Sequence, residues 1–432
     1  MRPFRTRAAW HSISAFFIVL TTLPSQLAAQ SASMSGMSMP MEAHETSQLP
    51  SPHAGSGTGW QPASVPEPEW MWMRGGWEVM AHGVIFADYN QQVGPRGEGK
   101  AESVNWGMLM EQHKLCRGTI LLRQMFSAES LTSPHPGFPE LFQTGETYHG
   151  EPLVDHQHPH NVFAELSALY LLPLSKTVSW ELYGGPAAEP ALGPVTYIHR
   201  ASAAELPLAP LSHHLQDSTH TSFGVVTTGF VIDWFKLEGS AFNGHEPNEE
   251  RWSIQPAALE SWSARASVAP NRNWTAQYSI GHLDHPEALE LWNQWRETAS
   301  VEYNRALAAG NWATSLVWGR VHEIGTDIHL NGYLLESTLN FRRRDYLFTR
   351  MELVDKNELF PPAELPSYRI GAYTFGGTRD LVQNRAWQLG LGADLTVYSK
   401  PAALDAAYGN YPVSFQIFLR MRPGLGGEEH RH

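Results

Sequence analysis

Residues 155–161 read Asp-His-Gln-His-Pro-His-Asn, and residues 162–172 follow directly as Val-Phe-Ala-Glu-Leu-Ser-Ala-Leu-Tyr-Leu-Leu. The second run has the length of a strand that crosses a membrane. Side chains alternate between the two faces of an extended chain, so His156, His158 and His160 would share one side. The stretch therefore predicts a metal-capable histidine patch at the mouth of a barrel to which the strand belongs.

Segments of alternating apolar and polar residues continue from Trp70 to near the end of the chain. In residues 385–398, apolar side chains take every second position from Trp387 to Val397, and Gln, Gly, Asp and Thr take the positions between. A period of two is typical of strands with one apolar face. Sixteen such segments can be counted, at residues 76–89, 102–113, 117–127, 161–172, 178–187, 219–232, 233–243, 261–269, 273–283, 297–307, 311–322, 330–342, 344–354, 368–378, 385–398 and 412–421.

Segment length, aromatic placement and turn length separate a membrane barrel from a soluble sandwich. Large aromatic residues gather near segment ends, as in interfacial girdles; they are Trp70, Trp72, Trp77, Trp106, Trp180, Trp234, Trp252, Trp312, Trp318, Tyr346 and Tyr398. Tight connections alternate with long ones, the clearest long ones being residues 131–160, 189–218 and 244–260. We predict an all-β fold, a transmembrane antiparallel β-barrel of about sixteen strands whose long loops partly fill the lumen.

The composition excludes other classes of protein. A net charge of −13 argues against a nucleic-acid partner, because phosphate contact needs a basic surface. Beyond the N-terminal segment, no apolar run approaches the length of about 18 residues that a membrane-spanning helix needs, which excludes a helical membrane protein. Cys116 is the only cysteine, so no disulfide can form within the chain.

The residues before the barrel divide into two parts. Residues 1–29 combine early arginines, an apolar run and a final Leu-Ala-Ala, which is the order of a cleaved secretory signal peptide. Residues 30–69 are rich in Met, Ser, Pro and Gly with two histidines, and predict a disordered arm. We assign residues 70–422 to the barrel and residues 423–432 to a C-terminal tail.

Soft metal ligands are concentrated in this arm. Four methionines recur within residues 34–41, and His44 and His53 follow. Thioethers suit Cu(I), so one interpretation is a flexible metal-capture device. The other is a low-complexity tail behind the signal peptide.

Histidines are also concentrated in the predicted loops. Imidazole is a common ligand for Cu, Zn and Ni, and a carboxylate behind the ring fixes its tautomer. If the loops meet in the barrel mouth, they predict one site for Cu(II), Zn(II) or Ni(II), with copper favoured by intrinsic affinity. Its residues would be Asp155, His156, His158, His160, His199, His213, His214, Asp217 and His220. Binding should weaken as the pH falls, because ligation requires the neutral ring.

Two other interpretations of these residues remain open. The loops could form a purely structural hydrogen-bonded network that plugs the pore. Alternatively Ser218, His220 and Ser222, with Asp217 nearby, supply the residue types of a hydrolase triad, although no nucleophile elbow is present. A Ser hydroxyl within reach of a carboxylate-held His would support the enzyme.

The function that these features favour is a channel or export component for a metal ion or a small solute, and not an enzyme. We expect the inward strand faces to line the lumen with polar side chains, among them Arg265, Gln277, Glu302, Glu336 and Arg342. Neither the solute nor the direction of transport follows from the sequence.

The loop motifs carry a family resemblance. The DHQHPHN stretch, Ser-His-His at 212–214 and Asp-Ser-Thr-His at 217–220 resemble a family of uncharacterised outer-membrane barrel proteins of Gram-negative bacteria. The methionine-rich arm resembles those of copper-resistance outer-membrane proteins. The first resemblance implies a barrel in contact with outer-membrane lipid. We expect the arm to lie in the periplasm and to be available to a metal-handling partner there.

Overall fold

The computed structural model describes residues 51–424, except 67, 134, 256–257, 290–291 and 363–365. Within this range sixteen antiparallel strands form one closed barrel, which confirms the predicted fold. The predicted signal peptide, the methionines of the arm and the tail beyond Gly424 lie outside the described residues. In chain order the strands are β1 (Trp77–Val93), β2 (Asn105–Leu115), β3 (Gly118–Phe126), β4 (Phe163–Pro173), β5 (Val178–Ala187), β6 (Val225–Ile232), β7 (Phe235–Phe242), β8 (Ser261–Asn271), β9 (Trp274–Leu283), β10 (Gln294–Leu307), β11 (Gly310–Glu323), β12 (His329–Phe341), β13 (Asp345–Lys356), β14 (Tyr368–Gln383), β15 (Trp387–Ser399) and β16 (Val413–Pro423).

Strand β1 closes the barrel. Its second half pairs with β16, with Ile85 opposite Met421. Where β16 ends, the short strand Trp70–Arg74 pairs with the first half of β1 and continues the wall. A second short strand, Gly99–Glu102, pairs with the far end of β1 ahead of β2.

The two ends of the barrel differ in the length of their connections. Tight turns such as 116–117, 233–234 and 272–273 lie at one end, the short-turn end, where β1 also begins and β16 finishes. The long connections lie at the opposite end, the loop end, and include 127–162 and 188–224. This is the predicted asymmetry. The loops contain the helices Glu129–Thr132, His213–Gln216 and Asp405–Tyr408, the 3-10 turns Ser218–His220 and Ala402–Leu404, and the small hairpins of Phe138–Pro139 with His156–Gln157 and of Glu146–Tyr148 with Glu151–Leu153. None of the helices in the described residues is long and apolar enough to cross a membrane.

Each strand presents apolar side chains outwards and polar ones to the lumen. In β13, Leu347 and Leu353 are exposed on the outside, whereas Arg350 and Glu352 between them are buried inside. An apolar exterior fits a lipid environment, and a polar interior requires partners for its charges. Among the predicted lining residues, Arg342 is the exception, because it lies exposed in the turn after β12.

The aromatic girdles are present at both ends, with three exceptions. Trp274 and Tyr303 are in contact at the short-turn end, with ring centroids 4.5 Å apart, and Trp262 and Trp295 at the loop end, 5.5 Å apart. Trp106, Tyr346 and Tyr398 were predicted for the girdles but lie on inward faces. Trp106 packs against the interior His199, and the two tyrosine hydroxyls bond to Arg422 and Ser414. A position near a strand end does not by itself decide the face.

Two segments of chain enter the lumen. The first is residues 51–66, which were predicted to be disordered but are held against the inner wall. Thr58 accepts a hydrogen bond from Arg265 at 2.8 Å, and Arg123 donates to the Gly57 carbonyl. At the short-turn end, the Ser64 hydroxyl donates to the Asn304 carbonyl at 2.9 Å. Few apolar residues are needed to order this segment, because charged side chains of the wall donate hydrogen bonds to its backbone carbonyls.

The second segment is the loop of residues 188–224, which we call the lumen loop. Its residues 219–224 were predicted to begin β6, but they form part of the loop instead. Helix His213–Gln216 packs on the inner wall where two glycines leave room: a Cβ on Gly319 would lie 2.0 Å from the Leu215 carbonyl oxygen, and one on Gly332 would lie 2.9 Å from the Ser212 Cβ.

Replacing Gly319 by alanine should therefore push this helix away from the wall. We expect a loss of about 1–3 kcal/mol in the free energy of unfolding, as for other overpacked sites, and faster proteolysis of the lumen loop. The matched control is Gly107→Ala in β2, where an added Cβ has no neighbour within 4 Å. Equal proteolysis of the two variants would contradict this packing.

Candidate metal centre

The three histidines of the 155–161 stretch do not share one side. Each ring contacts a different glutamate, and these glutamates come from three separate segments. The pairs are His156 Nε2 with Glu98 at 3.1 Å, His158 Nε2 with Glu146 at 2.7 Å and His160 Nδ1 with Glu129 at 2.8 Å. The predicted patch is therefore wrong as a single cluster, because the segment folds back on a hairpin and is not extended throughout.

Asp155 was predicted to support these histidines, but it stabilises the loop instead. Its carboxylate contacts Arg96 Nε at 2.6 Å and accepts the backbone N–H of Phe142 at 2.7 Å. Asp155 itself has φ of +60°, a conformation that Asp tolerates at turns.

His158 and His214 meet Glu146 in one centre, in which His214 is buried and the other two residues are half-buried. The possible ligand atoms of these three residues lie within 4.8 Å of one another. His214 comes from helix His213–Gln216 of the lumen loop, and Glu146 from the hairpin of the preceding loop. Glu246 Oε1 lies 3.5 Å from His214 Nδ1 without a hydrogen bond. The sequence identified the two histidines as ligands but neither glutamate.

The His214 ring has unused bonding capacity. Both of its ring nitrogens are buried and neither makes a hydrogen bond among the described residues. Burial lowers the pKa of His214 well below its ordinary value, and His213 lowers it further, so the ring is neutral near pH 7. Burial also lowers the pKa of His158. A buried polar group without a partner costs about 1–3 kcal/mol, which a bound metal ion would offset.

The carboxyl groups beside these rings differ in charge: burial, Glu146 and Glu287 raise the pKa of Glu246 well above its ordinary value, whereas His158 and Arg251 oppose burial and lower the pKa of Glu146. Glu146 also contacts Arg251 NH2 at 3.4 Å, and Arg296 NH2 lies 3.9 Å from Glu246. Two neutral imidazoles with one or two carboxylates suit Zn(II) and Cu(II). The centre is therefore chemically able to hold either ion.

His160, His213 and His220 form a separate cluster whose hydrogen bonds are already satisfied. His160 Nε2 lies 3.1 Å from His220 Nε2, and His220 Nδ1 lies 2.9 Å from the Asp217 carbonyl oxygen. Glu129 opposes burial and raises the pKa of His160, whereas burial lowers the pKa of His220 well below its ordinary value. A protonated His160 would donate to both Glu129 and His220, and neutral His220 would donate to the carbonyl. Each hydrogen bond of this cluster thus has one donor and one acceptor.

Asp217 belongs to this network as an anchor. It contacts His213 Nδ1 at 2.6 Å and Arg200 NH1 at 2.8 Å, and it accepts the Tyr197 backbone N–H at 3.0 Å. Burial alone would raise the pKa of Asp217, but Arg200 and His213 hold it well below its ordinary value. With its oxygens occupied in this way, Asp217 has a structural role.

The network predicts a pH dependence. The raised pKa of His160 contributes stability that is full below the unfolded value of about 6.5 and is lost as the pH rises through the folded pKa. With metal removed by a chelator, the unfolding temperature of the parent should fall as the pH rises above that value. Glu129→Gln should lack this decline, because the carboxylate that holds the proton is gone. An identical pH profile for both proteins would argue against a charged His160.

The remaining residues considered for a site are His199, Ser218 and Ser222. His199 lies apart from the other loop histidines, against Trp106 and His82. In the part of the chain that the structure describes, no hydrogen bond joins a Ser hydroxyl to a His ring. Ser218 accepts from Arg296, and Ser222 donates to the Thr219 carbonyl at 3.1 Å. The described residues thus offer no hydrolase triad.

A porin-like β-barrel with a loop-filled lumen is the class that the fold defines. The chain is similar to the anion-selective porin from Comamonas acidovorans, with a TM-score of 0.51 and 9% identity, over 80% of this chain and 99% of that one. It is also similar to Salmonella typhi OmpF in complex with daunomycin, with a TM-score of 0.47 and 8% identity, over 82% and 100%. No protein-family model and no curated protein sequence matches the chain. At these identities the likeness concerns the fold, which is that of outer-membrane porins.

Proposed function

We propose that this outer-membrane barrel is a channel or export component for a divalent metal ion, Zn(II) or Cu(II), or for a small solute. The observation that supports a metal ion is the centre of Glu146, His158 and His214, where the buried imidazole of His214 has two unpaired ring nitrogens. The centre joins His214 of the lumen loop to Glu146 and His158 of the preceding loop. An ion crossing the barrel would meet these ligands on its way.

In this proposal the described conformation is a closed state. The lumen loop is fixed to the wall by Arg200, whose guanidinium contacts Asp217 of the loop at 2.8 Å and Glu336 of β12 at 3.0 Å. Arg350 on β13 contacts the same Glu336 at 2.8 Å. Residues 51–66 occupy the lumen beside Arg123 and Arg265. Opening would require one of these segments to move.

We place the N-terminal arm on the periplasmic side. Residue Ser64 contacts the short-turn end, and Ser51 lines a cavity that also includes Asp233 and Trp234 of a tight turn. Long loops of outer-membrane barrels usually face outwards and short turns face the periplasm. An arm that precedes Ser51 at the short-turn end would be available to a periplasmic metal-handling partner, and its methionines suit Cu(I).

The second candidate is a closed structural barrel. The hydrogen bonds of His160 to His220 and to Glu129 favour it, because such a network stabilises a plug without needing an ion. The two candidates differ in what happens when the plug is removed.

Planar-bilayer conductance tests the channel. We expect a low conductance for the parent. Deletion of residues 51–64 should give a clearly higher conductance, because these residues, which contact Arg123 and Arg265, would no longer fill the lumen. Deletion of residues 30–43, which has equal length and precedes the described residues, is the control and should behave as the parent. Absence of conductance in both deletion variants, and in a variant whose lumen loop is also shortened, would favour the closed structural barrel.

A further inference from the structure

The inner wall carries a second group of metal-capable residues. Its donors are thioethers and imidazoles, with no carboxylate among them. Met125, Met108 and His82 lie directly opposite one another across β3, β2 and β1. In the next row, Met110 lies opposite Met80. All four methionines are buried, and they pack in one cluster. Directly opposite side chains on one sheet face have Cβ atoms about 4.5–5.5 Å apart, so their ends can share a ligand.

A thioether and an imidazole already meet in this cluster. His82 Nε2 lies 3.0 Å from Met108 Sδ. The lumen loop brings His199 over His82, with the two rings stacked 5.7 Å apart. Burial lowers the pKa of His199 well below its ordinary value, so this ring is neutral near pH 7. The cluster therefore offers neutral nitrogen and sulfur donors from the wall and the loop together.

The cluster can be reached from one end of the barrel. His82, Met108, Met110 and His199 line a cavity of about 720 Å³. The same cavity is bounded by residues of three tight turns, including Ala308, Arg343 and Asn384. It therefore extends from the cluster to the short-turn end, which provides a path for a small ion.

The charge near the cluster also bears on the kind of ion. Arg123 lies opposite Met110, but its guanidinium donates to the Gly55 and Gly57 carbonyls and lies 3.7 Å from Glu165. No carboxylate is among the donors, unlike in the centre of Glu146, His158 and His214. Neutral soft donors disfavour divalent cations and favour a monovalent soft one.

We propose that Met108, His82 and His199 form a second metal site, which binds Cu(I) or the chemically similar Ag(I) from the short-turn end, with Met110 or Met125 as an additional thioether donor. The site does not depend on the function proposed above. The competing explanation is that methionines and histidines pack here only as adaptable core residues, as sulfur and aromatic groups often do.

The test is anaerobic titration of the full chain with Cu(I) in competition with bicinchoninate, followed by copper K-edge absorption spectroscopy. The arm is kept but its four methionines are changed to leucine, so that they do not contribute; these are Met34, Met37, Met39 and Met41. We expect one bound Cu(I) with sulfur in its coordination shell. Met108→Leu should keep the apolar volume, weaken binding about tenfold or more and reduce the sulfur signal, because even loss of an outer contact costs about 10–100-fold.

Two further variants make the result decisive. Met351→Leu removes a thioether from the outer face of β13 and should bind Cu(I) as the parent does. His199→Gln changes the loop side of the site, and it carries the test if Met108→Leu does not fold. Zn(II) binding should be unchanged in Met108→Leu, which separates this site from the other centre. Parental Cu(I) affinity in both Met108→Leu and His199→Gln, or a shell without sulfur, would show that the cluster is packing only.

Discussion

Replacing His158 and His214 together by alanine should weaken the binding of Zn(II) and Cu(II) by about a hundredfold or more. Both substitutions remove direct ligands, whereas loss of an outer contact alone costs about 10–100-fold in metal affinity. The remaining carboxylates, Glu146 and Glu246, would be left with the cations Arg251 and Arg296. The measurement is titration calorimetry at neutral pH on protein whose arm methionines are replaced by leucine.

The control for this prediction is His156→Ala. His156 belongs to the same stretch of sequence, but its ring contacts Glu98 and lies outside the centre. We expect parental affinity in this variant. Equal, weak heats for the parent, the control and the double variant would show that Glu146, His158 and His214 are packed without binding metal.

Replacing Arg200 by glutamine should release the lumen loop and raise the conductance of the barrel. The guanidinium is fully buried between Asp217 and Glu336, and the substitution leaves Glu336 with Arg350 alone and Asp217 with His213 alone. Removal of one partner from a buried ion pair costs about 3–5 kcal/mol. The loop can relieve this cost by moving into water. Single-channel recording should therefore show openings that the parent lacks, and protease should cut the lumen loop faster.

Arg379→Gln is the matched control for charge. Arg379 pairs with Asp345 at 2.8 Å, but its side chain is 67% exposed. An exposed pair is worth about 0–1 kcal/mol, so neither conductance nor proteolysis should change. If Arg200→Gln also leaves both unchanged, Arg200 does not fix the loop, and the closed state needs another explanation.

The barrel could be predicted from the sequence because its signal is local. Alternation with period two depends only on neighbouring residues, and it follows directly from one face meeting lipid and the other meeting the lumen. The segment of residues 51–66 could not be predicted in the same way. Its order comes from the wall, where Arg123 donates to its backbone carbonyls and Arg265 donates to the Thr58 hydroxyl, and composition contains no sign of such partners.

The candidate site was predicted in part, for a related reason. Residue type identified His158 and His214, but the arrangement of the site depends on which loops meet. Glu146 and Glu246 complete the centre although they lie 12 and 32 residues from the histidine that each approaches, and no spacing rule connects them. Asp155 is adjacent to His156 in sequence, but its carboxylate contacts Arg96. The left-handed backbone conformation of Asp155 itself changes the direction of the chain there.

The loop histidines divide into two groups. His160 and His220 bond to each other, His160 also bonds to Glu129, and His220 bonds to the Asp217 carbonyl, so their hydrogen bonds are made without an ion. His214 has two buried ring nitrogens without partners among the described residues, and the metal site is proposed there. The polar network and the proposed metal site therefore concern different histidines of the loops.

Zinc-edge anomalous diffraction from crystals of the full chain soaked in Zn(II) tests the central claim most directly. We predict an anomalous peak between the Glu146 carboxylate and the rings of His158 and His214, which is lost in the double alanine variant. The exposed group of His245, Glu260 and Asp284 provides an internal comparison, because it also brings ligand atoms within 4.8 Å of one another. A peak only at that exposed group, with none at Glu146, His158 and His214, would contradict the proposed metal centre.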